Sequence, residues 1–541
     1  MTSKYTYLPE PHSLPLLPLT VEIEKGAVKI PQFQRDFVWS KQKSAELLDS
    51  ILKGYPIGTF IFWKTKEELR EIRNIGGMDL PKSPKGDFIL YVLDGQQRLT
   101  SLFAAVKGLT IERSNGDKED FSTFYVDLEA LSDETIVYAE LEDDAIKHRW
   151  IRLHELLHGK FKVISQYPEN AQDVIQTFKD RLNSYQFPIV TIKEAPIEVA
   201  TEVFTRLNVG GKALSMFEIM VAKTYDAERN FDLGERYDDL IEKLSGAQYG
   251  TIPNAVVMQS IAVCLAKDTK KKTILSLKKS RFIDEWENIE KAIGQTVDYL
   301  RQSIGVPVSQ LLPYPAMVVP FTYYFYKSKS NPDAERSRML QDFFWRVGLG
   351  ERYSRSLDTK LGQDIKKMDS ILAGRRPKYD WDVDTSAEYI QANGYFATGR
   401  AYIKTLLCVM ASEGPLSLRD NSKVNISNDW LTRSNSKNYH HFFPKSYLNS
   451  MGYAAASSNH IVNITLVDDQ LNKKEIGAKP PAKYVAMFAK KNQNLSKALA
   501  SHFISADTFG IADNNYDKFY LRRSTRLSKA IDKKLMSSPE S

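Results

Sequence analysis

The chain has 541 residues, 42% hydrophobic and 26% charged, with ordinary glycine (27) and proline (23) counts, which excludes collagen-like and low-complexity readings and suggests several domains. Its two cysteines, Cys264 and Cys408, are far apart in apolar surroundings, which excludes a disulfide scaffold or a four-cysteine zinc site and fits a reducing cytoplasm. The net charge is +7, yet residues 421–541 hold 18 Lys and Arg against 9 Asp and Glu, so the rest carries −2; the basic end suits either a polyanion partner or simple solubility.

Residues 1–10 are polar, without the apolar stretch of a signal peptide, and no apolar run is long enough to span a membrane, so no membrane partner is expected. The first region, 1–235, reads as mixed α and β. Apolar, β-rich runs at 59–63, 87–93, 124–127 and 187–192 predict strands. Helical periodicity falls at 45–52, 99–106, 197–207 and 215–222, and 108–120 reads as a polar loop. The region 236–415 is mostly helical, with long amphipathic segments at 282–300 and 337–347 and an exposed connection at 377–384. Arg346, Arg352 and Arg355 read as a solvated helix face, and Tyr323, Tyr324 and Tyr326 as core aromatics. The last region, 416–541, is rich in Asn and Lys, with helices expected at 494–503 and 517–531. The fold class that follows is multidomain α+β.

Two constellations carry chemistry. Asp94-Gly95-Gln96-Gln97-Arg98 sits where a strand ends and a helix begins. A helix's first turn presents free N–H groups, a ready anion site, and Gln97 and Arg98 add side-chain donors there. Asp94 could hold a metal or orient a water; equally, it could cap the helix while Arg98 pairs on the surface. Upstream, Gln34-Arg35-Asp36-Phe37-Val38-Trp39 sets an arginine among aromatics, suited to phosphate or base contact, or to a structural ion pair. Gly210-Gly211-Lys212 lacks the leading glycine of a phosphate-binding loop, because Arg206 stands in its place.

These two segments, followed by Phe204-Thr205-Arg206-Leu207-Asn208-Val209-Gly210-Gly211-Lys212-Ala213-Leu214-Ser215, resemble the ParB/sulfiredoxin-like domain of GmrSD-type, modification-dependent (type IV) restriction proteins. The three motifs stand in the family's order over residues 10–225. The resemblance implies binding and hydrolysis of a nucleoside triphosphate of unassigned base at Asp94, Gln97 and Arg98, with Arg35 nearby.

Near the carboxyl end, Tyr439-His440-His441-Phe442-Phe443-Pro444-Lys445 places two of eight histidines side by side, with Asn463 and Asn472 downstream. This order is similar to the ββα-metal, or HNH, nuclease pattern. Cutting a phosphodiester needs a base to activate water and a cation to offset developing charge. The resemblance implies His441 as general base, Asn463 as the residue fixing its imidazole, and His440 and Asn472 as ligands of Mg²⁺ or Mn²⁺. Lys445, Lys473 and Lys474 become phosphate contacts. Many relatives carry an acidic residue where His440 stands; a neutral imidazole there weakens Mg²⁺ or favours Mn²⁺. His460 reads as a loop residue.

The expected organisation is a nucleotide-binding domain at 1–235, a helical linker at 236–415 and an HNH domain at 416–541. The expected function is nucleotide-regulated, metal-dependent cutting of modified phage DNA, in the cytoplasm and as a monomer or homo-oligomer. Two alternatives remain open: a nucleotide-binding regulatory module with an inactive nuclease end, and an RNA-cutting abortive-infection toxin, since the motif does not separate DNA from RNA.

Overall fold

The run Ile-Leu-Tyr-Val-Leu-Asp at Ile89–Asp94 forms a central strand, because a segment apolar at successive positions is satisfied only with both faces covered. In the computed structural model, it lies inside a six-stranded sheet. The structure describes residues 7–31, 34, 37–69, 71–72, 74–75, 78–81, 86–113, 116–131, 134–141, 148–207, 215–226, 228–428, 439–467 and 476–537. The sheet strands are β1 (Glu10–Leu14), β2 (Val28–Pro31), β3 (Phe60–Thr65), β4 (Glu71–Ile72), β5 (Ile89–Asp94) and β6 (Phe187–Lys193), in spatial order β1-β6-β3-β5-β2-β4. β5 runs parallel to β2 and antiparallel to β3, and a register irregularity at Ile61/Phe62 bends β3 beside Asp94. Helices α1 (Lys41–Leu52) and α2 (Gln96–Lys107) contribute Leu48, Ile51, Leu99 and Phe103 to one core with Phe60, Phe62 and Val92.

The chain divides into two compact units, Met1–Leu233 and Gly234–Ser541, and the protein as a whole is mixed α+β. The second unit is largely helical. α3 (Asn254–Ala266), α4 (Lys279–Tyr299), α5 (Val318–Ser328), α6 (Ala334–Leu349), α7 (Leu357–Leu372) and α8 (Ala401–Ser412) build its helical part. α5 is buried along nearly its whole length, Tyr323 and Tyr324 included, and packs against α3, α4 and α7. A further core joins Leu418, Phe442, Phe443, Tyr484, Phe488 and Phe519 of the C-terminal region, where α9 (Tyr516–Asp532) is the long helix.

Three expectations differ from the fold. The stretch 108–120 contains a hairpin, Thr110–Glu112 against Lys118–Asp120; only Ile111 is buried, so its two-residue period carried almost no hydrophobic signal. Arg352 does not belong to a solvated face: it is 6% exposed, ion-paired with buried Asp364 and stacked over Trp381 at 3.8 Å. Arg346 pairs with Asp342, also buried, while Arg355 is exposed. A carboxylate four residues before Arg346, or twelve after Arg352, makes each arginine a buried ion pair that local sequence patterning does not reveal. His460 is 4% exposed and is more than a loop residue: its Nε2 lies 3.2 Å from both the Gln391 carbonyl and the Tyr520 hydroxyl.

Candidate functional site

The N-terminal constellation is built around a glycine. β5 ends at Asp94, Gly95 turns at φ +91°, and α2 starts at Gln96. A Cβ at Gly95 would collide with the Phe60 ring, so only glycine lets the strand pass this directly into the helix. Asp94 does not cap the helix through its side chain; its carboxylate pairs with Arg98 at 3.0 Å. The Arg98 guanidinium also donates to the carbonyls of Ile57 (2.6 Å) and Thr59 (3.0 Å). Gly58, at φ +87°, lies so close that a Cβ there would meet Arg98 itself. Gln97 is buried, and its Oε1 accepts the N–H groups of Val38 (2.8 Å) and Trp39 (3.2 Å). Gln34 donates to the Val92 carbonyl. The motif's polar side chains therefore hold the 57–59 turn and the 38–39 segment against the strand–helix junction. Arg35 and Asp36 lie outside the described residues, as do residues 208–214 of the third motif.

The C-terminal constellation is a short antiparallel ladder, β7 (Tyr439–His441) against β8 (Ile464–Leu466), with His440 opposite Thr465 and His441 opposite Ile464. After β7 the chain turns through Phe442 and Phe443 into the helix Lys445–Ser450, which Pro444 starts. Phe442 stacks on Phe519 at 5.0 Å with an interplanar angle of 4°, and Phe443 sits 5.1 Å from Tyr516 edge-on. These rings fix the loop from below. The loop backbone is tied by Asn463, which is fully buried: its Oδ1 accepts the Phe443 N–H (2.8 Å), and its Nδ2 donates to the carbonyls of Phe443 (2.9 Å) and Ser458 (3.0 Å). The Tyr484 hydroxyl donates to the Phe442 carbonyl (2.6 Å). Arg523, fully buried on α9, donates to the carbonyls of Val462 and His502; burial pushes its guanidinium down to about 9.

This clamped loop leaves an open cleft of about 310 Å³ lined by Tyr439, His440, His441, Pro444, Lys445, Ser446, Gly477 and Ala478. His440 is 2% exposed and meets the Tyr484 ring edge-on at 6.0 Å. His441 is half-buried, and desolvation pushes its imidazole down to about 4, against the opposing hydrogen bond to Asn459. Partial desolvation likewise lowers the Lys445 ammonium. At neutral pH the His441 ring is uncharged and able to accept a proton.

Asn463 was expected to fix that imidazole, yet its amide is spent on the loop backbone. The hydrogen-bond partner of His441 Nε2 is Asn459 Oδ1 at 3.0 Å. The Asn459 Nδ2 donates to the Phe396 carbonyl (3.1 Å), which turns its Oδ1 toward the ring. Nε2 then carries the proton and Nδ1 is left as the basic nitrogen. Asn459 is a residue that sequence reasoning missed. It stands four positions before Asn463, and only the turn at 459–463 aims it at the ring. Asn472, Lys473 and Lys474 lie outside the described residues.

With both geometries in view, comparison with known proteins bears on the first. Residues 18–225 match the family model described as GmrSD restriction endonuclease, N-terminal domain. The GmrSD match spans the whole sheet from β2 to β6 and the Asp94–Arg98 junction, but less than half of the chain. The chain is also similar to a protein of Methanocaldococcus jannaschii, "Uncharacterized protein MJ0686", at 24% identity over 93% of each chain. That likeness reaches well beyond the GmrSD region into the helical and C-terminal parts. No helix among the described residues is long and apolar enough to cross a membrane.

Proposed function

We propose that the chain is a restriction-type endonuclease that hydrolyses DNA phosphodiesters at the cleft beside His441. The observation that carries this reading is the pair of adjacent imidazoles lining one open cleft together with Lys445, on a loop whose other polar groups are bonded away from it. The GmrSD match in the first unit supports the same reading from an independent part of the chain.

In the proposed mechanism, the scissile phosphate enters the cleft and meets Lys445, whose ammonium neutralises charge and aligns the phosphodiester. His441 Nδ1 takes the proton of the attacking water, while Asn459 holds Nε2–H and so keeps the ring in that tautomer. Asn463 positions the loop rather than touching substrate. Among the described residues, no group of three or more His, Cys, Asp or Glu side chains converges as a metal cage. The donor chemistry that remains, an imidazole of His440 with Asn472 as a hard oxygen, suits a divalent cation with positions open to water and phosphate. When bound, Mg²⁺ or Mn²⁺ would offset the charge developing on the phosphate and leaving oxygen.

The Asp94–Arg98 junction is the proposed nucleoside triphosphate site, with Arg35 as a further proposed ligand. Asp94 is 37% exposed at the mouth of the α2 N-terminus, where the helix dipole favours phosphate. Nucleotide there would regulate cutting, and the biological role would be type IV restriction of modified phage DNA. The test is a cleavage panel of unmodified, glucosylated, methylated and phosphorothioated DNA, and of RNA. Each substrate is assayed with Mg²⁺ or Mn²⁺, with and without nucleoside triphosphates. Nucleotide-dependent cutting of modified DNA, lost in His441→Ala, is the expected result. No cutting of any substrate with nucleotide still bound would favour a regulatory module instead, and cutting of RNA alone would favour a toxin.

A further inference from the structure

Helix α9 has two faces of opposite character. Tyr516, Phe519, Arg523, Leu527 and Ile531 are buried, and Tyr516 and Phe519 pack against Phe443 and Phe442 of the loop that follows His440 and His441. On another face, Lys518, Arg522, Lys529 and Lys533 are exposed and Arg526 is half-buried. Their spacing of four, four, three and four residues is helical. At 100° per residue, the five fall within an arc of about 80°, and they extend along about 22 Å of helix axis. Asp517 and Asp532 lie outside that arc. Lys533 follows the last helical residue but keeps right-handed backbone angles, so it continues the row.

We propose that this row is a docking surface for the backbone of duplex DNA, separate from the cleft residues that act on the scissile phosphate. The proposal rests on the nuclease reading only for its biological sense. Its physical argument is charge complementarity. A duplex presents one negative charge per about 1.7 Å of axis, so about 22 Å of helix faces a dozen or so phosphates with five cations on long, flexible stems. A row made of Lys and Arg alone, with the Asn515 amide oxygen at its start taken up by the Lys518 N–H, suits phosphate contact rather than base reading. The row is also rigidly coupled to the catalytic loop. Phe519 stacks on Phe442, one residue after His441, and Arg523 bonds the Val462 carbonyl, one residue before Asn463. DNA held on α9 is therefore held at a constant offset from the cleft.

The test is duplex binding by the full chain, measured by fluorescence anisotropy with a 30-base-pair probe of about three helical turns, in EDTA, over a salt series. Replacing all five cations (K518Q/R522Q/R526Q/K529Q/K533Q) is expected to lower affinity at least tenfold at about 100 mM salt. It is also expected to make the slope of log K against log salt shallower by at least about 2, since each lost phosphate contact removes about 0.9. A variant retaining Arg526 guards against misfolding, and both are checked by circular dichroism and Tm. K270Q/K271Q/K272Q, which neutralises cations elsewhere, is expected to leave the slope unchanged. Unchanged binding in the folded row variants, or an equal loss in that control, would overturn the proposal. So would a loss confined to an RNA probe. The row and the cleft fail separately: if the parent protein binds duplex through the row but cuts no substrate, the nuclease reading falls and the docking surface stands.

Discussion

The Asp94–Arg98 junction and the His440–Asn463 loop use similar residue types in opposite ways. At the junction, the motif's own side chains do the structural holding: Arg98 is engaged by two carbonyls and a carboxylate, and Gln97 by two backbone N–H groups. At the loop, the holding is done by Asn463, Tyr484 and Arg523, and the paired histidines remain at an open cleft. A polar motif thus announces a special place in the fold, but the bonds around it decide whether its groups are spent on backbone or left for substrate. The contrast also locates where nucleotide must act if it binds: on Asp94 and the α2 N-terminus, with Arg98 reaching phosphate only by giving up a carbonyl.

Substitutions can sharpen that contrast or break it. The largest effect is expected for His441→Ala, which should lower kcat for DNA cutting by about 10²- to 10⁴-fold with Tm unchanged and nucleotide hydrolysis intact. Loss of hydrolysis in a folded variant would show that the two sites are not separate. Asn463→Ala should instead act on stability. It strands one buried N–H and two buried carbonyls, a cost of about 3–4 kcal/mol in urea unfolding. Retained stability with lost cutting would make Asn463 a substrate contact and erase the distinction drawn above.

Arg98→Ala is expected to destabilise the first unit by about 2–3 kcal/mol, because the Ile57 and Thr59 carbonyls and Asp94 lose their partner. If nucleotide affinity falls while stability holds, Arg98 is a phosphate ligand first and the junction resembles the loop after all. The smallest effect is that of pH on the fold around the loop. His502 is buried, accepts no charge readily and is pushed down to about 4 by desolvation. Its stabilisation is complete above the unfolded value near 6.5 and is lost as pH falls through the folded value near 4. The expected loss is about 2 kcal/mol at pH 5, and His502→Gln should flatten that part of the stability profile. Activity, resting on a His441 also depressed to about 4, should persist below pH 6 until the fold fails.

Much of the architecture was legible locally. Apolar runs at 87–93 and 187–192 marked β5 and β6, the two strands that flank β3, and 3.6-residue periodicity marked α4, α6 and α9 to within a few residues. β1 escaped notice because Glu-Pro-His-Ser-Leu has no apolar alternation; it exists only because β6 offers an edge to pair with. At the candidate site, adjacency of His440 and His441 was visible in the sequence, and so was the presence of Asn463. The exchange of roles between Asn463 and Asn459 was not, since it depends on which amide the 459–463 turn aims at the ring and which it aims at Phe443.

The amino-acid order by itself determined most of the element types, β1 and the 110–120 hairpin apart, together with the two chemically rich segments and the concentration of positive charge toward the carboxyl end, because periodicity, backbone preference and net charge are local or additive. Only the tertiary structure decided which polar groups are spent. Burial made Arg98, Gln97, Asn463 and Arg523 find backbone partners, since an unpaired polar group away from water costs more than most single contacts return. It also turned separate cations on α9 into one row, buried the His440 ring against Tyr484 and left His441 half-buried at an open cleft.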